Sequence, residues 1–241
     1  MTRLTTCPDA ETVAQRAAAH VRMELQRSRE QRGVAHLALS GGSTPARTYE
    51  LLGASPEDLR ETEIWFADER CVPPDDHESN YRLARELMLE PARVPAARIH
   101  RMRGELGPRD GASCYAQEFA VRLGPGAPGG DAALDLVILG IGPDGHIASL
   151  FPGAAALAAD EQELCLGVED SPKPPPQRIT LSLPVLRAAR GCLLLATGAS
   201  KADAVSAMLG EPTRHVPASL LRRERLTVVL DDAAAPPAPL R

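Results

Sequence analysis

The stretch that most constrains the fold is Leu134–Pro152, which reads LDLVILGIGPDGHIASLFP. Apart from an aspartate and a glycine, residues 134–141 are branched and apolar, which is typical of a strand buried on both faces of a parallel sheet. The turn sequence Gly-Pro-Asp-Gly at 142–145 then places His146 just beyond the carboxyl end of that strand. Because open α/β sheets bind ligands at this end of their strands, the sequence predicts a site around His146.

Strand and helix patterns alternate along the 241 residues. They predict a single α/β domain over 1–241, with an open, mostly parallel, Rossmann-like sheet and helices on both faces. The glycine-rich residues 124–130 are expected to be a connector, and residues 236–241 a flexible tail. Predicted strands cover 34–39, 63–67, 134–141, 164–168, 179–183, 192–196 and 226–230, and predicted helices cover 9–32, 46–52, 79–89, 112–123 and 200–209, with a short helix from Pro184.

Charge and cysteine content limit the kinds of partner that the protein can bind and indicate its cellular compartment. A net charge of −5 without long runs of one sign argues against nucleic acid or a membrane surface as partner. The sequence has no uninterrupted apolar stretch of membrane-spanning length, and its first twelve residues lack the apolar core that is typical of a signal peptide. Five scattered cysteines without a Cys-x-x-Cys pair predict free thiols in a reducing compartment. We therefore expect a cytoplasmic protein, either a monomer or a weak homo-oligomer.

A second glycine turn, SGGSTP at 40–45, joins the strand at 34–39 to the following helix. Thr44 is predicted to cap that helix, with Pro45 as its first residue, where a missing N–H costs no hydrogen bond. Free backbone N–H groups, the positive end of the helix dipole and the Ser43 and Thr44 hydroxyls would suit a phosphate group. The alternative is a plain capped turn, and the absence of Gly-Lys-Ser/Thr excludes a P-loop.

Charged residues also occur at the end of one predicted strand and at the start of one predicted helix. Asp68-Glu69-Arg70 follows the strand at 63–67, a position that suggests a site, although a solvated loop would have the same composition. Lys201 lies in the first turn of the helix at 200–209, where a cation opposes the helix dipole. We interpret Lys201 as the holder of an anion, with an exposed surface lysine as the alternative.

The residues around His146 favour general acid–base catalysis over nucleotide binding or metal chemistry. The spacing of Gly140, Gly142 and Gly145 matches a dinucleotide fingerprint, but Pro152 stops the helix that this fingerprint requires. The sequence contains neither a Gly-x-Ser-x-Gly elbow nor a His-x-x-x-His metal pair. An imidazole with a pKa of about 6.5 can move protons at neutral pH. We expect no metal and no organic cofactor, and a small phosphorylated molecule as substrate.

Three blocks together resemble the 6-phosphogluconolactonase family: SGGSTP at 40–45, DERCVP at 68–73 and GIGPDGHIASLFPG at 140–153. Later blocks, RITL, GASK and DDAA, are also similar, so the resemblance covers about residues 10–234. The family is similar in fold to glucosamine-6-phosphate deaminase. The deaminase pattern has Asp-Glu-Tyr and a Glu five residues after the histidine, where this chain has Arg70 and Phe151. Both departures favour the lactonase.

The resemblance implies hydrolysis of 6-phospho-D-glucono-1,5-lactone to 6-phospho-D-gluconate in the oxidative pentose phosphate pathway. It makes His146 the general base, and either Asp68 or Asp144 its orienting carboxylate, the other binding sugar hydroxyls. Oxyanion donors would be found among Gly41, Gly42 and Arg70. The phosphate would be held by Ser43, Thr44, Lys201 and Arg178.

Two other functions are possible for such a sequence. One is a sugar-phosphate isomerase or deaminase, in which Asp68 would act over C2; Phe151 in place of the deaminase Glu speaks against it. The other is a non-catalytic sugar-phosphate sensor, which would need Ser43, Thr44 and Lys201 but could lose His146. Because the chain has both sets of residues, the sequence favours an enzyme.

Overall fold

The computed structural model describes residues 2–123 and 134–236. All of the expected connector at 124–130 and all but the first residue of the expected tail at 236–241 therefore lie outside the described residues. The described strands are β1 Arg3–Cys7, β2 Ala35–Leu39, β3 Thr62–Phe66, β4 Asp68–Arg70, β5 Leu136–Gly140, β6 Cys165–Val168, β7 Arg178–Leu181, β8 Cys192–Ala196 and β9 Leu226–Asp231. The described α-helices are α1 Ala10–Arg32, α2 Ser43–Gly53, α3 Asn80–Ala84, α4 Gly107–Leu123, α5 Leu183–Ala188 and α6 Ala202–Leu209.

Six strands form an open parallel sheet in the order β1-β9-β8-β5-β2-β3. This confirms the predicted fold class. Strand β5 lies inside the sheet, and Leu136–Leu139 are fully buried, as the apolar run predicted. Each such side chain contributes about 1.5–3 kcal/mol of transfer free energy. The buried sheet therefore fixes the positions of the loops that follow the carboxyl ends of its strands.

The N-terminal strand β1 was not predicted, because its sequence Arg-Leu-Thr-Thr-Cys lacks a buried pattern. It lies at the edge of the sheet, with Arg3 opposite Thr227 of β9, and most of its side chains are exposed or half-buried. An edge strand needs only one neighbour and one covered face, so its sequence carries little apolar signal.

A second, three-stranded antiparallel sheet has the order β4-β7-β6. Its strand β4 shows that Asp68–Arg70 is not the solvated loop that was the alternative to a site at this position. Asp68 pairs with Thr180 and Arg70 pairs with Arg178 across the β4–β7 ladder. This pairing brings Asp68 and Arg70 next to Arg178, although the two segments are more than a hundred residues apart in sequence.

Several helix boundaries differ from the prediction. Helix α2 starts at Ser43, so its cap is Gly42 and not Thr44, and Pro45 is its third residue. Gly42 has φ 105°, a conformation that favours glycine. The predicted helix at 79–89 is α3 followed by a π-helical turn, Arg85–Leu89, and α4 begins five residues before the predicted start at 112. Lys201 ends a short 3₁₀ turn, Ala199–Lys201, that leads directly into α6.

All five cysteines are free thiols, as predicted, and Cys7 and Cys192 are buried. Burial raises the pKa of Cys192 to about 12, so this thiol stays protonated. In the described residues, no helix combines the length and the apolarity that crossing a membrane requires.

Candidate active site

A pocket of about 450 Å³ opens at the carboxyl ends of β2, β5 and β8. This is the end of the sheet where the sequence predicted a site. Nine predicted site residues line it, and the tenth, Asp144, is hydrogen-bonded to one of them. The nine are Gly41, Gly42, Ser43, Thr44, Asp68, Arg70, His146, Arg178 and Lys201.

His146 and Asp144 form a close pair in the loop after β5. Nδ1 of His146 lies 2.5 Å from Oδ1 of Asp144, and the His146 side chain is 17% exposed. Gly142 makes this geometry possible, because a Cβ there would stand 1.9 Å from Nδ1 of His146 and 2.3 Å from Oδ1 of Asp144. The glycine that looked like part of a nucleotide fingerprint is therefore required by the close approach of the histidine. No helix starts at Gly145, and the next helical turn is Ala155–Ala158.

The pKa values of the pair follow from burial and from each other. Burial lowers the pKa of His146 below its ordinary value, although the hydrogen bond to Asp144 and that carboxylate's charge raise it. Burial raises the pKa of Asp144, but the hydrogen bond and charge of His146 outweigh it, so the net pKa is lowered. At neutral pH the pair is thus a carboxylate beside a neutral imidazole, which is the form of a general base.

Lys173 is a site residue that the sequence reasoning missed. Its Nζ lies 3.3 Å from Nδ1 of His146 and 3.4 Å from Oδ1 of Asp144. It belongs to the proline-rich loop at 171–177, which sequence spacing alone does not bring near His146. One signal was present: the 241 residues contain 25 arginines but only two lysines, Lys173 and Lys201, and both line this pocket.

Arg178 holds the proline-rich loop against the site. It is 4% exposed, and its Nε and Nη2 donate hydrogen bonds to the backbone carbonyls of Lys173, Pro174 and Pro175 at 3.0–3.1 Å. Burial lowers the pKa of Arg178 from its ordinary value, with Asp68 acting in the opposite direction. Its Nη1 has no hydrogen-bond partner in the described part of the chain and remains free for a ligand.

Asp68 is held by neighbours other than His146. Its Oδ2 accepts a hydrogen bond from Ser149 Oγ at 2.7 Å, and its Oδ1 accepts one from Asn80 Nδ2 at 3.1 Å. The structure thus pairs His146 with Asp144 and leaves Asp68 as a buried carboxylate on the pocket wall. Arg70 Nη1 donates to the Glu78 carbonyl at 2.6 Å, while its buried Nε has no partner among the described residues.

Two glycine-capped helix starts form another wall of the pocket. One is Gly42 with Ser43 and Thr44, and the other is the turn that Gly198 caps, whose residue Lys201 lines the pocket. They approach each other where the hydroxyls of Thr44 and Thr197 lie 3.4 Å apart. Burial and the charge of Lys173 lower the pKa of Lys201 from its ordinary value. Backbone N–H groups, hydroxyls and an ammonium group together suit a phosphate dianion.

Phe151 occupies the place of the deaminase glutamate. Its ring centroid lies 4.6 Å from that of His146, and the Cζ atom of Arg178 lies 5.7 Å from the centre of its ring. An apolar ring therefore packs against the imidazole at the position where the deaminase pattern has a glutamate.

Comparisons with known proteins show the family to which this chain belongs. The model of the glucosamine-6-phosphate isomerase and 6-phosphogluconolactonase family matches residues 8–230. The chain belongs to this family. A 6-phosphogluconolactonase of Streptomyces coelicolor is 37% identical over 238 residues, which are 94% of this chain and 91% of that protein. This confirms the resemblance that the sequence blocks indicated.

Solved structures of the family share the fold. The 6-phosphogluconolactonase from Trypanosoma cruzi superposes with a TM-score of 0.86 at 28% identity, covering 97% of this chain and 96% of that one. A monomeric glucosamine-6-phosphate deaminase superposes with a TM-score of 0.79 at 23% identity, covering 97% and 98%. This second likeness concerns the fold alone and confirms the predicted similarity to the deaminase fold.

Proposed function

We propose that this chain hydrolyses 6-phospho-D-glucono-1,5-lactone to 6-phospho-D-gluconate, a step of the oxidative pentose phosphate pathway. The observation that carries the proposal is the His146–Asp144 pair in the same pocket as the two glycine-capped helix starts. The pair supplies a general base, and the helix starts supply a phosphate site away from it. The 6-phosphogluconolactonases among its relatives support the same substrate.

In the proposed reaction His146 moves one proton twice. Its Nδ1–H donates to Asp144, a tautomer assigned from the hydrogen bond, so Nε2 keeps a lone pair. Nε2 takes a proton from a water molecule as the water oxygen attacks C1 of the lactone. The tetrahedral intermediate then collapses, the bond from C1 to the ring oxygen breaks, and Nε2 returns the proton to that oxygen. The products are a carboxylic acid, which ionises, and a free hydroxyl.

The oxyanion and the sugar hydroxyls need donors and acceptors on the pocket wall. The guanidinium of Arg70 and the N–H groups of Gly41 and Gly42 are the candidates for the oxyanion. Asp68 is assigned to the sugar hydroxyls, because Ser149 and Asn80 hold it and Asp144 already orients the imidazole.

The phosphate is assigned to the two helix starts. Ser43, Thr44 and Lys201 would hold it, with the free Nη1 of Arg178 as a further donor. Binding the phosphate away from C1 positions a substrate that is already an activated ester. Lys173, beside Asp144, would influence the base and not the phosphate.

We also propose that the chain is one domain, because the pocket uses residues of both sheets and neither sheet contains a complete site. Five free thiols are consistent with the cytoplasm. A monomer or weak homo-oligomer stays our expectation.

The deciding experiment measures hydrolysis of freshly generated lactone through coupled oxidation of 6-phosphogluconate, against a control without enzyme. We expect a large acceleration by the wild type and a loss of about 10²–10⁴-fold in kcat for His146→Ala. His20→Ala is the matched control, since His20 lies half-buried on α1 and does not line the pocket.

Two negative results of this assay would lead to different conclusions. Full activity in His146→Ala would keep the function and remove the assigned base. No acceleration by the wild type would refute the proposed function, and glucosamine 6-phosphate would be tested next.

A further inference from the structure

We infer that Glu69 is a positioning residue for lactone hydrolysis, which acts through Asn80 on Asp68 and on the Gly41 turn. The inference rests on the proposed function. Glu69 lies on β4 between Asp68 and Arg70, is 2% exposed and does not line the pocket. Its role therefore has to be indirect.

The Glu69 carboxylate is surrounded by four hydrogen-bond donors. Oε1 accepts from the backbone N–H of Arg70 at 2.8 Å and of Asn80 at 2.7 Å. Oε2 accepts from the N–H of Tyr81 at 2.8 Å and from Ser79 Oγ at 3.0 Å. Three of these donors stand at the start of α3, so Glu69 ties the first turn of that helix to β4.

The charge state of Glu69 reflects this arrangement. Burial raises the pKa of Glu69 to about 7, and the hydrogen bonds from Tyr81, Asn80, Arg70 and Ser79 oppose the rise. A protonated carboxyl would have to give up one of the four donors, because all acceptor positions are used. The complete network therefore belongs to the carboxylate, which predominates above that pKa.

Asn80 connects the network to the site. Its Nδ2 donates to the backbone carbonyl of Asp68 at 2.8 Å and to Oδ1 of Asp68 at 3.1 Å. It is also packed so closely against Gly41 that a Cβ there would stand 1.7 Å from Asn80 Oδ1. One amide side chain thus contacts the carboxylate assigned to the sugar hydroxyls and the turn that offers N–H donors. Its place depends on the first turn of α3, which Glu69 holds.

Glu69→Gln tests this dependence, because the amide keeps the size but turns an acceptor into a donor that faces other donors. At about pH 8, above the pKa of Glu69, we expect kcat/KM for the lactone to fall about tenfold or more. Asp135→Asn is the matched control. Asp135 is also a buried carboxylate that accepts a backbone N–H, from His36, but it lies at the other end of the sheet. We expect this control to lower the thermal midpoint while leaving kcat/KM within about twofold.

A double-mutant cycle with Asn80→Ala separates positioning from general destabilisation. If Glu69 acts through Asn80, Glu69→Gln has little further effect in the Asn80→Ala background, so the double variant retains about tenfold more activity than the product of the two single effects predicts. Should Glu69→Gln fail to fold, Ser79→Ala, which removes one donor to Glu69, replaces it in the same cycle.

The outcomes can be told apart. Multiplicative effects in the cycle, or a Glu69→Gln enzyme as active as the Asp135→Asn control, would overturn the inference while the proposed function stands. A wild type that does not hydrolyse the lactone would overturn the proposed function and, with it, this inference.

Discussion

Oδ1 of Asp144 lies 2.5 Å from Nδ1 of His146, with only Gly145 between the two residues in sequence. The same oxygen lies 3.4 Å from Nζ of Lys173. The carboxylate raises the pKa of His146 and the ammonium lowers it, both acting on an imidazole whose pKa burial has already lowered. The pH dependence of the reaction should therefore respond in opposite directions to changes at Asp144 and Lys173.

Asp144→Asn should lower the pKa of His146, because the variant loses the negative charge that favours the imidazolium. A general base works in its neutral form, so kcat/KM falls as the pH drops through the pKa of His146. We expect the acidic limb of the profile of kcat/KM against pH to move to lower pH. We also expect kcat to fall about 10²-fold or more, because an amide no longer fixes the Nδ1–H tautomer. A limb that moves to higher pH would contradict the assignment of Asp144.

Lys173→Met should have the opposite effect on the profile. Methionine keeps the apolar stem but removes the charge that lowers the pKa of His146. We expect the acidic limb to move to higher pH, so that the loss of activity is larger at acidic than at alkaline pH. An unchanged limb would show that Lys173 does not act on the base.

These side chains mark the limit of sequence reasoning at the site. The strand-end position of His146 identified the site, and its carboxylate had to be Asp68 or Asp144. Sequence spacing did not separate them, since only the loop conformation turns Asp144 onto the ring while Ser149 takes Asp68. Lys173 was missed because a proline-rich segment reads as a loop, and its contact depends on carbonyls that Arg178 holds.

The prediction of strands has the same limit, because some strands are recognisable from their own sequence and others form only through distant partners. Strand β5 was predictable because a strand covered on both faces must be apolar along its whole length. Strands β1 and β4 were not, because one is an exposed edge and the other is a three-residue strand of charged side chains. Their pairing depends on partners distant in sequence, Thr227 for Arg3 and Thr180 for Asp68.

Lys201→Met should weaken phosphate binding and leave the chemistry at C1 intact. A hydrogen bond to a charged group contributes about 1.5–3 kcal/mol, so KM for the phosphorylated lactone should rise about 10- to 150-fold. kcat at saturation should change little, because the site around His146 is unaltered. Glucono-1,5-lactone without phosphate is the matched control, and its kcat/KM should be the same in wild type and variant. Equal losses on both lactones would contradict a phosphate role for Lys201.

Gly142→Ala should abolish most activity without unfolding the protein. The added methyl group would stand 1.9 Å from Nδ1 of His146 and 2.3 Å from Oδ1 of Asp144, so both side chains have to leave their present positions. Both side chains are partly exposed and can rotate away at moderate cost, whereas the alignment of a catalytic base tolerates little displacement. We expect kcat/KM to fall about 10²-fold.

The matched control for Gly142→Ala is Gly191→Ala, directly before β8 at the end of the sheet away from the pocket. A Cβ at Gly191 would stand 3.3 Å from Leu136 Cδ1, the end of a flexible side chain that can shift slightly. We therefore expect this variant to keep its activity, with a thermal midpoint close to that of Gly142→Ala. Comparable activity of the two alanine variants would mean that the close approach of His146 to Gly142 is dispensable, and the base would then have to be sought elsewhere on the pocket wall.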